Sequence, residues 1–122
     1  MTLSAQPASV RHARAQVRSL VADWPPACTA TLQVLVDELV TNAVLHARTS
    51  LDIVARLEHH RIRVEVSDDD PRMPRLRRYG PTSSTGRGLH LVEALATLWG
   101  AEPSPGGKVV WFEFDCGGHT FG

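Results

Sequence analysis

Residues 29–47, TATLQVLVDELVTNAVLHA, decide the fold. Leu32, Leu35, Val36, Leu39, Val40, Ala43 and Val44 recur at steps of three and four, which places them on one side of an α-helix. The stripe is wide enough to predict a deeply buried helix that anchors the core. Glu38, Asn42 and His46 stand four residues apart, so their side chains project in one row beside that stripe. Such a row is either a solvated edge held by weak helical pairings or one wall of a cleft.

On the N-terminal side, Val10, Ala13, Val17, Leu20 and Val21 predict an amphipathic helix over 9–22, with Arg11, Arg14 and Arg18 on another face. Trp24-Pro25-Pro26 stops it, because proline lacks the amide hydrogen and disfavours a helical residue before it. On the C-terminal side, Leu51, Ile53, Ala55 and Leu57 alternate with Asp52 and Arg56, and Ile62, Val64 and Val66 alternate with Arg61, Arg63 and Glu65. Two adjacent strands joined by a tight His59-His60 turn follow.

Beyond Ser67 neither period survives, and Pro71, Pro74, Gly80, Pro81 and Gly86 mark a long loop over about 68–87, of the kind that is usually functional or disordered. Leu89, Leu91, Val92, Leu95, Ala96 and Leu98 predict a third helix ended at Gly100. A hairpin then closes the chain, its Pro105-Gly106-Gly107 turn leading into Val109, Val110, Trp111, Phe112 and Phe114, a strand rich in β-branched and aromatic residues. The expected fold is a single α+β domain over residues 1–122, a two-layer sandwich of helices on a mostly antiparallel sheet.

A chain of 122 residues with 43% hydrophobic and 21% charged residues fits one domain with one core. Its 13 basic residues balance its 13 acidic ones, so composition predicts no direct nucleic-acid partner and no membrane partner. Cys28 and Cys116 form no metal-ligand spacing and read as free thiols, and no basic start followed by an apolar stretch opens the chain. The expected location is the cytoplasm.

Three polar clusters stand out on this scaffold. Asp37, Glu38, Asn42 and His46 lie on the second helix, Asp68-Asp69-Asp70 ends a strand, and Gly86-Arg87-Gly88 opens the third helix. Glycines at a helix start let backbone amides approach a phosphate, which the helix dipole also favours. Arg72, Arg75, Arg77, Arg78 and Arg87 make the loop locally cationic, either a solvated face or a lid over phosphates. The triple aspartate leaves open a turn, a metal site or a base-recognition site.

Read in order, Glu38-Leu39-Val40-Thr41-Asn42-Ala43-Val44-Leu45-His46-Ala47, Val66-Ser67-Asp68 and Gly86-Arg87-Gly88-Leu89-His90-Leu91-Val92 resemble the ATPase superfamily of gyrase, Hsp90, histidine kinases and MutL. Within it, the chain is similar to the stand-alone anti-sigma-factor serine kinases, which share an ELxxNAxxHA segment. The resemblance implies a Bergerat-type ATP-binding fold with ATP and Mg2+ as cofactors. It implies that Asn42 binds the magnesium bridging the phosphates, that Glu38 is the general base activating a substrate serine, and that Asp68 holds the adenine amino group. Gly86 and Gly88 would frame the phosphates, with Arg87 and Leu89 beside them. His46 is expected to pack or hydrogen-bond rather than catalyse, and His90 has no assigned role. The family pattern DxGxG meets Asp68-Asp69-Asp70-Pro71-Arg72 here, with neither glycine, and Asp70 close to phosphates would repel them.

Three functions follow as expectations. The first is a serine/threonine protein kinase that phosphorylates an anti-sigma-factor antagonist. The second is a non-catalytic, ATP-gated module that sequesters a sigma factor or another regulator, and the third is an interaction domain that no longer binds nucleotide. Homodimers are common in the family the sequence resembles.

Overall fold

The computed structural model describes residues 2–4, 6, 8–46, 50–72 and 91–119. Helix α1 (Ala8–Leu20) and helix α2 (Pro26–His46) form one layer. Strands β1 (Thr2–Ser4), β2 (Ser50–Glu58), β3 (Arg61–Asp68), β4 (Leu98–Ser104) and β5 (Gly107–Asp115) form the other, in the order β1-β2-β3-β5-β4 with every pairing antiparallel. The α+β sandwich expected from the sequence is the fold observed.

Helix α2 forms where its period predicts, starting at Pro26, whose fixed φ and missing N–H suit a first helical turn. Leu32, Leu35, Val36, Leu39, Val40 and Ala43 are buried on it, and Val44 is partly buried. By length and composition Pro26–Leu45 could cross a membrane, but its apolar stripe is spent on the sheet, against Ile62, Val64, Val66, Val110, Phe112 and Phe114. Each fully buried leucine of this kind contributes about 1.5–3 kcal/mol. Helix α1 adds Ala13 and Val17 to the same core, while Leu20 stays exposed. Arg14 on α1 clamps Asp37 on α2 through its Nε, at 3.1 Å, and its Nη2.

Both predicted hairpins are present. His59 takes a positive φ of 59° in the His59-His60 turn, and Gly106 takes 75° between β4 and β5. Three expectations need correction. The helix expected to run to Gly100 is helical over the described residues 91–95 and has given way by Leu98 to β4. Gly100 is therefore not a helix terminus: it lies in β4 opposite Trp111, and a Cβ there would come within 2.8 Å of the indole. The N-terminal β1, not foreseen, joins the sheet through Thr2↔Asp52 and Ser4↔Ser50.

The third correction concerns the cysteines. Cys28, at the start of α2, and Cys116, just after β5, are disulfide-bonded with their Cα atoms 5.6 Å apart. The antiparallel course of β5 under α2 brings together positions 88 residues apart, which no local spacing could reveal.

Candidate functional site

The polar end of the sandwich is assembled from three elements. On β3, Ile62, Val64 and Val66 face the helices, and the alternation carries Asp68 to the same face. On β5, Val110, Phe112 and Phe114 face inward, and two steps back from Val110 is Lys108. The register sets Asp68 directly opposite Lys108. The third element is α2, whose last turn follows Asn42. From His46 at its end the chain reaches Ser50, the start of β2, in four residues, a span of at most ~14 Å. Leu51 in turn pairs with Asp68, so Asn42 and the Asp68–Lys108 pair lie at the same end of the two layers.

Lys108 is 1% exposed and donates from Nζ to Asp68 Oδ1 and to the Asp70 carbonyl, both at 3.0 Å. Asp68 Oδ1 also accepts the Asp70 backbone N–H at 2.9 Å, which closes the strand end into a tight turn. A buried ammonium and a buried carboxylate thus neutralise each other, with both side chains 1% exposed. The turn admits no side chain beneath it: a Cβ on Gly107 would fall 1.8 Å from the Asp68 carbonyl oxygen and 3.0 Å from Asp69 Cα.

Asp70, where the family pattern has glycine, is also buried, and its carboxylate accepts the Arg72 backbone N–H at 2.9 Å and the exposed Arg72 guanidinium at 2.6–3.1 Å. Those side-chain bonds from Arg72 hold its carboxyl far below the usual carboxylate range, with the Arg72 backbone N–H adding to the effect. The charge expected to repel phosphates is matched by Arg72 and by the nearby Lys108.

Asn42 is buried, 4% exposed, and its Oδ1 has no hydrogen-bond partner among the described residues. The solvated-edge reading of the polar row therefore fails at this position. Glu38, one turn earlier on the same line, is half-buried. An unspent amide oxygen is a hard, neutral ligand of the type Mg2+ takes, so the residue present fits a phosphate-bound magnesium. Gly86, Arg87, Gly88, Leu89 and His90 lie outside the described residues, as do the His46 side chain and the loop beyond Arg72.

Sequence reasoning missed Lys108 and Gly107. Counting back by twos from Phe114, Phe112 and Val110 reaches a lysine at a position where the face demands an apolar residue, and that misfit was the available signal.

A family model for the histidine kinase-like ATPase domain matches residues 3–114. The chain belongs to the histidine kinase-like ATPase family. Among solved structures it is similar to the blue-light activated histidine kinase EL346 of Erythrobacter litoralis, with 22% identity and a TM-score of 0.61. That match covers 81% of this chain and 34% of the kinase, so the chain corresponds to a minor part of that protein. It is similar also to the catalytic domain of the histidine kinase ThkA, with 18% identity and a TM-score of 0.55 over 72% of this chain and 67% of that one. The Acinetobacter baumannii histidine kinase AdeS shares 10% identity at a TM-score of 0.56, covering 95% of this chain and 68% of its own. At these identities the likeness establishes the fold. No curated protein matches the chain in sequence.

Proposed function

We propose that this histidine kinase-like ATPase domain binds MgATP between the end of α2 and the Asp68 end of the sheet, and transfers the γ-phosphate to a serine of a partner protein, as anti-sigma-factor serine kinases do. The observation that carries the reading is Asn42, an amide buried on the core helix whose Oδ1 has no hydrogen-bond partner among the described residues. A buried acceptor left unmade costs about 1–3 kcal/mol. A ligand that supplies the missing partner removes that cost.

In this reading Asn42 Oδ1 binds the magnesium, and Asp68 accepts from the exocyclic amine of adenine. Glu38, half-buried one turn before Asn42, takes the proton of the substrate serine as it attacks. Bound MgATP supplies an activated phosphoryl group whose charge is screened by the metal. Gly86, Arg87, Gly88 and Leu89 complete the phosphate side by the resemblance. The partner is a protein, a sigma factor or an anti-sigma-factor antagonist. ATP as substrate places the chain in the cytoplasm, where cellular reductants would hold Cys28 and Cys116 as thiols.

A second reading has its own observation. The Asp68–Arg72 segment is tied down by Lys108, by Arg72 and by its own backbone in place of two glycines. Such a braced turn suits an ATP-gated binding module that sequesters a regulator without phosphotransfer.

Thermal unfolding with and without MgATP tests the shared premise, since a ligand of the native state raises the midpoint by mass action. The rise should vanish in Asp68→Asn. Incubation with radiolabelled ATP and a candidate partner then separates the readings: Glu38→Gln abolishes phosphotransfer and keeps partner binding if the chain is a kinase. Absence of phosphotransfer in the native protein leaves the binding module.

A further inference from the structure

We infer that Lys108 is a second base-recognition residue of the nucleotide site, presenting an ammonium N–H to the ring acceptor N1 of adenine beside the Asp68 carboxylate. The inference rests on the ATP reading above and assigns a role to a residue that reading leaves out.

An ammonium has three N–H donors and no acceptor. Lys108 spends one on Asp68 Oδ1 and one on the Asp70 carbonyl, each at 3.0 Å. Its third N–H meets no acceptor among the described residues, although the residue is 1% exposed. The carboxylate shows the complementary state. Oδ1 accepts from Lys108 and from the Asp70 N–H, while Oδ2 accepts no hydrogen bond among the described residues. The pair therefore ends in one unspent acceptor and one unspent donor, side by side on neighbouring strands in direct register.

Adenine offers the opposite order along its Watson–Crick edge, a donor at the exocyclic N6 and an acceptor at N1. Asp68 Oδ2 meets the amine and Lys108 Nζ meets the ring nitrogen. Neither protein group is free to swap roles, because a carboxylate only accepts and an ammonium only donates. Two protein bonds fix the ammonium, so little ordering remains when the base arrives. A purely structural role for the pair is a weak alternative, since apolar residues at both positions would continue the Val66↔Val110 ladder, and such replacements of buried ion pairs are often neutral or stabilising.

The test is calorimetric titration of the full chain with MgATP and with the magnesium complex of 1-deaza-ATP, which lacks the N1 acceptor and keeps the N6 amine. The native protein should bind the deaza analogue about tenfold or more weakly, the scale of one hydrogen bond to a charged group. Lys108→Met should bind ATP as weakly as native protein binds the analogue, with its affinity for the analogue unchanged. Because that variant leaves Asp68 buried without a counter-charge and can fail to fold, a measurement on native protein stands beside it. The 15N resonance of the buried Lys108 ammonium should move on saturation with ATP and stay in place with the analogue. Equal affinity for the two nucleotides, or an ammonium resonance unmoved by bound ATP, overturns the role of Lys108 while the nucleotide site stands. Binding of neither nucleotide overturns the site, and this inference with it.

Discussion

Reducing the Cys28–Cys116 bond should lower stability by an amount set by the chain it closes. The bridge spans 88 residues. The chain-entropy relation gives about 4.6 kcal/mol at 25 °C for a loop of that length. With an unfolding entropy of about 2.1 cal/mol/K per residue, a domain of 122 residues loses roughly 15–20 °C from its midpoint. Circular dichroism melts of the oxidised protein with and without a phosphine reductant measure this directly. The functional end should be indifferent to the change, because Cys28 and Asn42 are 14 positions apart on α2, a separation of about 21 Å along the helix axis. The increment in midpoint produced by MgATP should therefore be the same in both redox states. A midpoint that moves by less than about 5 °C on reduction refutes the entropic reasoning, and two titratable thiols in the air-oxidised, denatured protein refute the bridge itself.

Other outcomes follow from single contacts. Asn42→Ala removes a buried oxygen that has no partner among the described residues, so stability without nucleotide should stay within about 1 kcal/mol of native while the MgATP increment in melting is lost. Gly107→Ala forces the Asp68 end of β3 to move, because the new Cβ would overlap a backbone carbonyl, and urea unfolding should register a loss of about 2–3 kcal/mol. Asp70 has a folded-state pKa depressed chiefly by the Arg72 side-chain bonds, so its contribution is present above the unfolded carboxyl value of about 4 and fades as pH falls through that value toward the lower folded one. The gap in urea midpoint between native protein and Asp70→Asn should accordingly be open at neutral pH and close in acid; a gap that widens on acidification contradicts the assignment.

The parts of the fold that were legible are those whose pattern is local. The step of three and four that buries Leu32, Leu35, Val36 and Leu39 is complete within α2, and the alternation of Ile62, Val64 and Val66 is complete within β3. Thr2–Ser4 has no such pattern, since three residues become a strand only by pairing with Ser50, Leu51 and Asp52 far along the chain. Leu98-Trp99-Gly100 reads as the tail of an apolar helix until β5 is placed beside it, where Trp111 lies across Gly100 and leaves room only for a hydrogen. The cysteine pair and the Asp68–Lys108 pair were illegible for the same reason: each joins distant residues that only the register brings together. Asn42 and Asp68 could be picked out as candidates because their motifs are short and contiguous, whereas the burial of Asn42 depends on the packing of the whole layer.

What distinguishes the Asp68 end of the sheet is where its energetic costs fall. Along the inner face the pairs Ile62↔Phe114, Val64↔Phe112 and Val66↔Val110 are apolar, and the next pair in the same row is an ion pair. Nothing in the folding of a helix-on-sheet core requires that change, and an isolated buried ion pair is poor at stabilising a fold compared with apolar residues of the same volume. Across the layer, at the same end, α2 carries an amide whose oxygen has no hydrogen bond among the described residues. The chain thus accepts two unfavourable burials together at this end; the other buried polar atom without a partner among the described residues, Trp111 Nε1, lies on the opposite face of β5 beneath the Arg63 guanidinium. Departures from local consistency that cluster in one place are expected where a ligand, absent from the free fold, supplies the missing partners. Among the described residues Asn42 Oδ1 has no donor, Asp68 Oδ2 accepts no hydrogen bond and the third N–H of Lys108 meets no acceptor. MgATP offers a cation, an exocyclic amine and a ring nitrogen, one for each.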